Sequence, residues 1–265
     1  MTVFQQKVLG YYAEHGRDLP WRHLAVDPRQ RLYEVLVSEM MLQQTQVTRV
    51  TPKYEQWLKL FPDFAAVAEA SLRDVLLAWS GLGYQRRAKY LHAMCQSFAV
   101  QKELPTTSSE LVLFKGIGPN TAAAISAYAY DTPAVFIETN IKTVYIAEFF
   151  ADKTQVTDAE ILQKVTNSLP TSNFREWYWA LMDYGSFLKS QGHRNTKSTS
   201  YAKQPPFEGS KRQLRARLLK YITTSENHTR RHILSQLRDS RAEMCLDELV
   251  HEGFVKIHGG RVSVV

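Results

Sequence analysis

Cysteine is scarce: Cys95 and Cys245 are the only two in 265 residues. Two thiols so far apart make neither a disulfide framework nor a thiolate metal cluster, which points to a reducing, cytoplasmic compartment. Long apolar runs are missing too. Although 44% of the residues are hydrophobic, no uncharged stretch approaches the roughly 20 residues needed to cross a bilayer, so no membrane span is expected. The opening MTVFQQKVLGYY lacks an apolar block followed by a small-residue cleavage site, so no secretory leader is expected either. Sustained period-two alternation is absent from most of the chain, which excludes an all-β fold, and no internal repeat is found.

What the chain has in excess is positive charge and helical periodicity. The formal net charge is +7 and the pI about 9.3, a balance that fits a polyanionic partner without requiring one. From Val3 to about Leu188 apolar residues recur at spacings of three and four, broken by GRDLPWRHLAVDPRQ, FPD, GLGY and LPTTSSE. The class is therefore all-α. The polar, helix-breaking stretch 190–208 reads as a basic linker between a domain at 1–189 and a second at 209–265. The second begins with KRQLRARLLKYI, which places Lys211, Arg212, Arg215, Arg217 and Lys220 on one short helix. Two more helical patterns follow, then FVKIH and RVSVV joined by Gly-Gly, so three helices and a β-hairpin predict a winged-helix-like domain.

The stretch LFKGIGPNTAAAI sets Gly116 and Gly118 just before an alanine-rich helix. Glycines there permit positive φ and let backbone N–H groups converge on a phosphate at a helix start. Without context the same turn is an ordinary interhelical connection. Its sequence closely resembles the hairpin of the helix-hairpin-helix DNA glycosylases, which grip DNA backbone with it. Further stretches, GRDLPWR, YEVLVSEMMLQQTQV, FPDFAAVAEA, WSGLGYQRRAKYLH and FIETNIKTV, occur in the order and spacing of the MutY-type adenine DNA glycosylases. That branch is also similar to thymine-mismatch glycosylases and endonuclease III. The resemblance runs from about Phe4 to Leu188, and SEMMLQQT is its most specific element.

Glu39 has Val35, Leu36 and Leu42 as helical neighbours, surroundings that raise a carboxyl's pKa unless it faces water. By its residues alone it is also a solvated glutamate or a partner of Arg31 or Arg49. The resemblance makes it the acid that protonates the departing base. Glu138 precedes a helix that TNIKTV opens, with Thr139 as the expected N-cap, and a helix N-terminus favours an ionised carboxylate. A protonated Glu39 and an ionised Glu138 would divide the work of N-glycosidic cleavage, the second stabilising a cationic sugar. The family carries aspartate where Glu138 stands. The extra methylene shifts the carboxylate by about one bond length, a displacement of the order that costs rate.

The lyase branch of the superfamily has a lysine where this chain has Asn120, and an amide forms no Schiff base. The resemblance therefore implies a monofunctional glycosylase that leaves an abasic site, with Lys142 the nearest amine for any weak lyase step. An extruded nucleotide leaves a gap. The family fills it with residues corresponding to Tyr84 and Gln44, with Leu42 and Gln43 near the pocket and Arg86 and Arg87 toward phosphates; Tyr84 read alone is a half-buried core aromatic. Thr121, Asn140, Lys142, Lys211 and Arg212 complete the expected DNA contacts. Trp21 and Arg22 correspond to base-pocket residues, the arginine donating toward the flipped base. Where adenine-excising relatives place Glu or Gln, this chain has Trp179, which accepts no hydrogen bond from an amino group. Read alone, Trp179 is equally a core residue.

Lys189 occupies the first iron-sulfur ligand position of the family and the following loop lacks cysteine, so no cluster is expected, and Lys189, Arg194, Lys197 and Lys203 are left for phosphate. No metal or cofactor is expected beyond a monovalent cation at the hairpin. The C-terminal module that recognises 8-oxoguanine is also missing from the resemblance, and the winged-helix-like region stands in its place. The expected partner is double-stranded DNA with a mismatch or an oxidised guanine, bound by a monomer. A thymine or uracil mismatch glycosylase and a non-catalytic damaged-DNA-binding protein are the alternatives.

Overall fold

The computed structural model describes residues 1–224 and 228–265. Its contacts divide the chain into two compact units, each built from two stretches of sequence: Met1–Glu39 with Pro105–Lys203, and Met40–Leu104 with Gln204–Val265.

The first unit is helical. It contains α1 (Val3–His15), most of α2 (Pro28–Leu42), α7 (Ser108–Leu111), α8 (Pro119–Tyr130), α9 (Thr139–Phe149), α10 (Asp158–Asn167) and α11 (Phe174–Ser190); numbering follows the chain, and α3–α6 lie in the second unit. Threonine N-caps with Gln or Glu three residues on start α1, α7 and α10 as capping boxes, satisfying amides the first turn would otherwise leave bare. The centre is α11, whose Trp177, Tyr178, Leu181, Tyr184 and Leu188 fall at helical spacing and are buried. It packs on α1, α8 and α9. Residues Ala122–Ala129 of α8 are all buried, as short side chains allow a central helix to be crowded from several sides.

Helix α2 ends at Leu42 because Gln44 takes a left-handed conformation, φ 54°, so the apolar stretch 31–60 becomes two helices. The second unit continues with α3 (Val47–Leu60), α4 (Phe64–Glu69), α5 (Leu72–Ala78) and α6 (Arg86–Val100). Its core holds edge-on aromatic pairs, Trp57 with Trp79 at 5.6 Å and Phe64 with Phe98 at 5.4 Å, an arrangement that suits ring quadrupoles. The C-terminal part adds α12 (Lys211–Thr224), α13 (Arg230–Leu237) and α14 (Ala242–His251) with β1 (His228–Thr229), β2 (Val255–His258) and β3 (Arg261–Val264). Gly259 and Gly260, at φ 56° and 76°, make the tight turn between β2 and β3. The sheet order is β1-β3-β2. Three helices and a hairpin form the winged-helix-like addition; β1, only two residues long, is too short to leave a periodic signal.

Within the first unit the stretch read as a linker is held in place. Val156 N–H donates to Lys197 O at 2.8 Å and Thr199 N–H to Val156 O at 2.9 Å. The hydroxyls of Ser198 and Ser200 donate to Asp158.

Candidate functional site

Two carboxyl groups of the first unit sit in mutual electrostatic reach. Glu39 comes from the last full turn of α2, and Glu138 caps the start of α9. Among the described residues neither carboxylate has a hydrogen-bond or ion-pair partner, which is unusual for desolvated charged groups. Burial holds Glu39 well above the usual carboxylate range, and the charge of Glu138 pushes it further. Burial also raises Glu138, against the opposite pull of Lys189. Desolvation thus works against the ionised state expected of Glu138 at a helix start, and the Lys189 charge works for it. Thr139 is not the N-cap but the first helical residue, since Glu138 itself has extended backbone angles, φ −105° and ψ 173°. The order of the two groups survives, because Glu39 feels the Glu138 charge as a further penalty while Glu138 has a cation to oppose its own.

The hairpin before α8 needs one left-handed residue, Gly116 at φ 93°. Gly118 does not share that need: at φ −86° and ψ 171° it is an extended N-cap, and a Cβ there would meet nothing within 4 Å. Its lack of a side chain leaves the helix start open to an approaching group rather than relieving strain. Thr121 lies in the first turn of α8. Asn120 is tied toward the carboxylate, its Oδ1 accepting from Ile137 N–H at 3.3 Å.

Trp21 and Arg22 lie in a short 3-10 turn, Pro20–Arg22, with Trp21 buried. The Arg22 guanidinium donates to both oxygens of Asp183 at 2.8 and 2.7 Å and to Arg17 O at 2.9 Å, while its buried Nε has no partner among the described residues. It lies 5.5 Å from the Trp179 ring, which in turn stacks on Tyr128 at 6.3 Å. Asp183, 2% exposed, was missed from sequence. A lone acid on the buried face of α11 is the signal that marks it.

On α9, Asn140 Oδ1 accepts from Lys189 Nζ at 2.6 Å. Burial and the neighbouring Arg194 lower the Lys189 amine's pKa, while Glu138 pulls it back up. Lys142 is engaged elsewhere: its Nζ donates to Asp158 at 2.7 and 2.9 Å and to Ser200. That ion pair occupies the amine that the sequence offered as the nearest for a weak lyase step.

In the second unit two turns, one carrying the exposed Gln44 and the other the half-buried Tyr84, hold the residues expected to fill a gap in a duplex. Gln44 and Tyr84 both have positive φ, 54° and 48°, uncommon for residues with a Cβ. Leu42 and Gln43 are half-buried beside them, with Gln43 Nε2 donating to Met40 Sδ at 3.8 Å. The turns are knitted by Arg87, which donates to Met40, Met41 and Gln43 carbonyls through Nη1 and to Thr45 Oγ1, Leu82 O and Gly83 O through Nη2. At 6% exposure, with burial pushing its pKa down to about 10, Arg87 is a structural organiser and not the phosphate contact expected of it. Arg86 is exposed but paired with Glu252 at 2.6 Å. Lys211 pairs with Glu248, whereas Arg212 donates to the Tyr84 hydroxyl at 2.8 Å.

Comparison with known proteins follows the same lines. Over 278 residues, 97% of this chain and 94% of the relative, it is 28% identical to an adenine DNA glycosylase of Mycolicibacterium smegmatis. It is 40% identical over 144 residues to one of Mycobacterium tuberculosis, and there it spans only 46% of the relative's length; with Mus musculus the figures are 37% and 29%. Among solved structures it resembles a thermostable thymine-DNA glycosylase, TM-score 0.58 at 19% identity over 69% of this chain and 85% of that one. A non-covalent endonuclease III–DNA complex gives 0.55 at 16%, over 80% and 94%. Similarity at that level concerns the fold. The model of the HhH-GPD superfamily of base excision DNA repair proteins matches residues 37–170, half of the sequence and the stretch that runs from Glu39 through the hairpin to Glu138, and the chain belongs to that superfamily.

Proposed function

We propose that this protein is a monofunctional DNA N-glycosylase that removes adenine mispaired with guanine or 8-oxoguanine and leaves an abasic site. The observation that carries the reading is the pair of desolvated carboxyl groups, Glu39 and Glu138, in electrostatic reach of each other and, among the described residues, without a hydrogen-bond or ion-pair partner. Glu39, holding its proton near neutrality, donates it to a ring nitrogen of the extruded adenine, so the base departs neutral. Glu138, the more readily ionised of the two, stabilises the positive charge that grows on the sugar as the bond breaks. Water then adds at C1′ and gives up a proton. Asn120 accepts from the Ile137 amide just before Glu138 and supplies no amine, so the sugar–phosphate backbone stays intact. Tyr84 and Gln44 enter the gap, and Gly116 and Gly118 present the start of α8 to phosphate. The adenine glycosylase relatives support the choice of base.

One feature favours a second substrate, thymine or uracil opposite guanine: Trp179, stacked on Tyr128, offers no acceptor to adenine's amino group. A panel of duplexes carrying A:8-oxoG, A:G, T:G, U:G and matched pairs, treated with alkali after incubation, separates the two. Cleavage confined to adenine strands is expected; cleavage of T:G or U:G alone selects the second reading. In the same assay Glu39→Gln abolishes excision, by at least about a hundredfold, while duplex affinity stays within about twofold. Normal excision by this variant would remove Glu39 from the mechanism.

A further inference from the structure

The two gap-filling residues of the second unit are engaged by residues from its C-terminal stretch. The Arg212 guanidinium lies between two rings, 5.3 Å from the centroid of Tyr84 and 5.4 Å from that of Phe207. It donates to the Tyr84 hydroxyl at 2.8 Å and to Pro205 O at 3.3 Å. Gln204 Nε2 donates both to Gln44 Oε1, at 3.2 Å, and to the Tyr84 hydroxyl. Lys211 and Arg215 of the same helix are neutralised by Glu248 and Glu252, but among the described residues Arg212 has no carboxylate partner. These groups border a cavity of about 530 Å³ whose rim carries Arg49, Arg217 and Lys220.

Each part selects for a property of one ligand class. Aromatic faces and a planar guanidinium take a flat heterocycle by stacking. Donors left on the guanidinium seek two adjacent acceptors, and guanine's O6 and N7 are the base edge that offers them; adenine and cytosine place an amino group on that edge and thymine a single carbonyl. The basic rim suits the flanking phosphates. Extruding one base from a duplex leaves its former partner unstacked where the filling side chains enter. We infer that Arg212, supported by Gln204 and Phe207, reads this orphaned base and selects guanine. The inference rests on the reading above, that Tyr84 and Gln44 enter a duplex from which a base has been extruded.

The test uses the full chain and duplexes in which a tetrahydrofuran abasic analogue faces G, C, A or T, with affinity measured by fluorescence anisotropy. A preference of about tenfold for the G-facing duplex is expected of the parent, the scale of one bidentate arginine–guanine contact. Arg212→Met and Arg212→Lys should both reduce it to within about twofold, the lysine variant keeping its affinity for the C-facing duplex. Absence of partner preference in the parent overturns the inference. So does an equal loss in all four duplexes, which would make Arg212 a phosphate contact, or an equal gain, which would make its bond to Tyr84 a latch closed in the free protein. Because the analogue has no base to remove, failure to excise adenine alongside a preserved G preference would unseat the proposed reaction and leave this site standing. Melting curves verify that each variant folds, and the lysine variant carries the test if the methionine one does not.

Discussion

Lys189 is the cation that sets the two glutamates apart. Its amine donates to Asn140, two residues beyond Glu138, and its charge opposes the effect of burial on that carboxylate. If the reaction needs Glu138 ionised and Glu39 protonated, rate against pH is bell-shaped, with limbs belonging to the coupled pair. Removing the Lys189 charge raises the Glu138 pKa, so the ionised form is lost at a higher pH than in the parent. Lys189→Met should therefore shift the acid limb upward and leave the alkaline limb nearly in place, with the largest loss at the acid end. Single-turnover excision across the pH range checks this, and a uniform loss would assign Lys189 to packing alone. Glu39 was legible in sequence because its apolar helical neighbours are local. The state of Glu138 was not, since a helix start can be read from the chain whereas the depth at which the fold buries it cannot. Asp183 and Lys189 act through partners distant in sequence, which local pattern does not reveal.

Between elements, the approach of α9 to α11 fixes where Glu138 stands. Gly185 makes that approach possible: a Cβ on it would lie 2.5 Å from Asn140 O and 2.8 Å from Asn140 Cβ. Gly185→Ala forces the two helices apart, and overpacking of this kind costs about 1–3 kcal/mol. A displacement of Glu138 of the order of 1 Å would also slow excision by up to about a hundredfold. Melting curves and single-turnover rates measure both, and an alanine variant with parental rate and stability would show that the helices slide to absorb the methyl group. The hairpin, the all-α class and the C-terminal helices with their β-hairpin were readable from spacing and turn residues. Arg87 was not: beside Arg86 in GLGYQRR it looks like a second surface cation, and only the convergence of two turns on one guanidinium shows why it is buried.

On the scale of the whole chain, composition and contacts draw different lines. The sequence shifts character near residue 190, yet the C-terminal helices share a core with residues 40–104. Leu214, Leu218, Leu219, Ile222 and Phe254 are buried in that unit. Arg73 Nε donates to Thr223 O at 2.9 Å and Lys89 Nζ to Gly253 O at 2.8 Å. A fully buried Leu or Phe contributes about 1.5–3 kcal/mol relative to exposure, so losing all five at once is comparable with the usual stability margin of a domain, about 5–15 kcal/mol. Ending the chain after Pro206 loses all five. The expected result is therefore unfolding of residues 40–104 in the shortened chain, with Gln44 and Tyr84 no longer held in their turns. Amide exchange checks it: protection in α3, α5 and α6 should collapse. If those helices keep their protection while DNA affinity and its salt dependence fall, the C-terminal stretch is a separable DNA-binding arm. In that case composition, not the shared core, has drawn the boundary correctly.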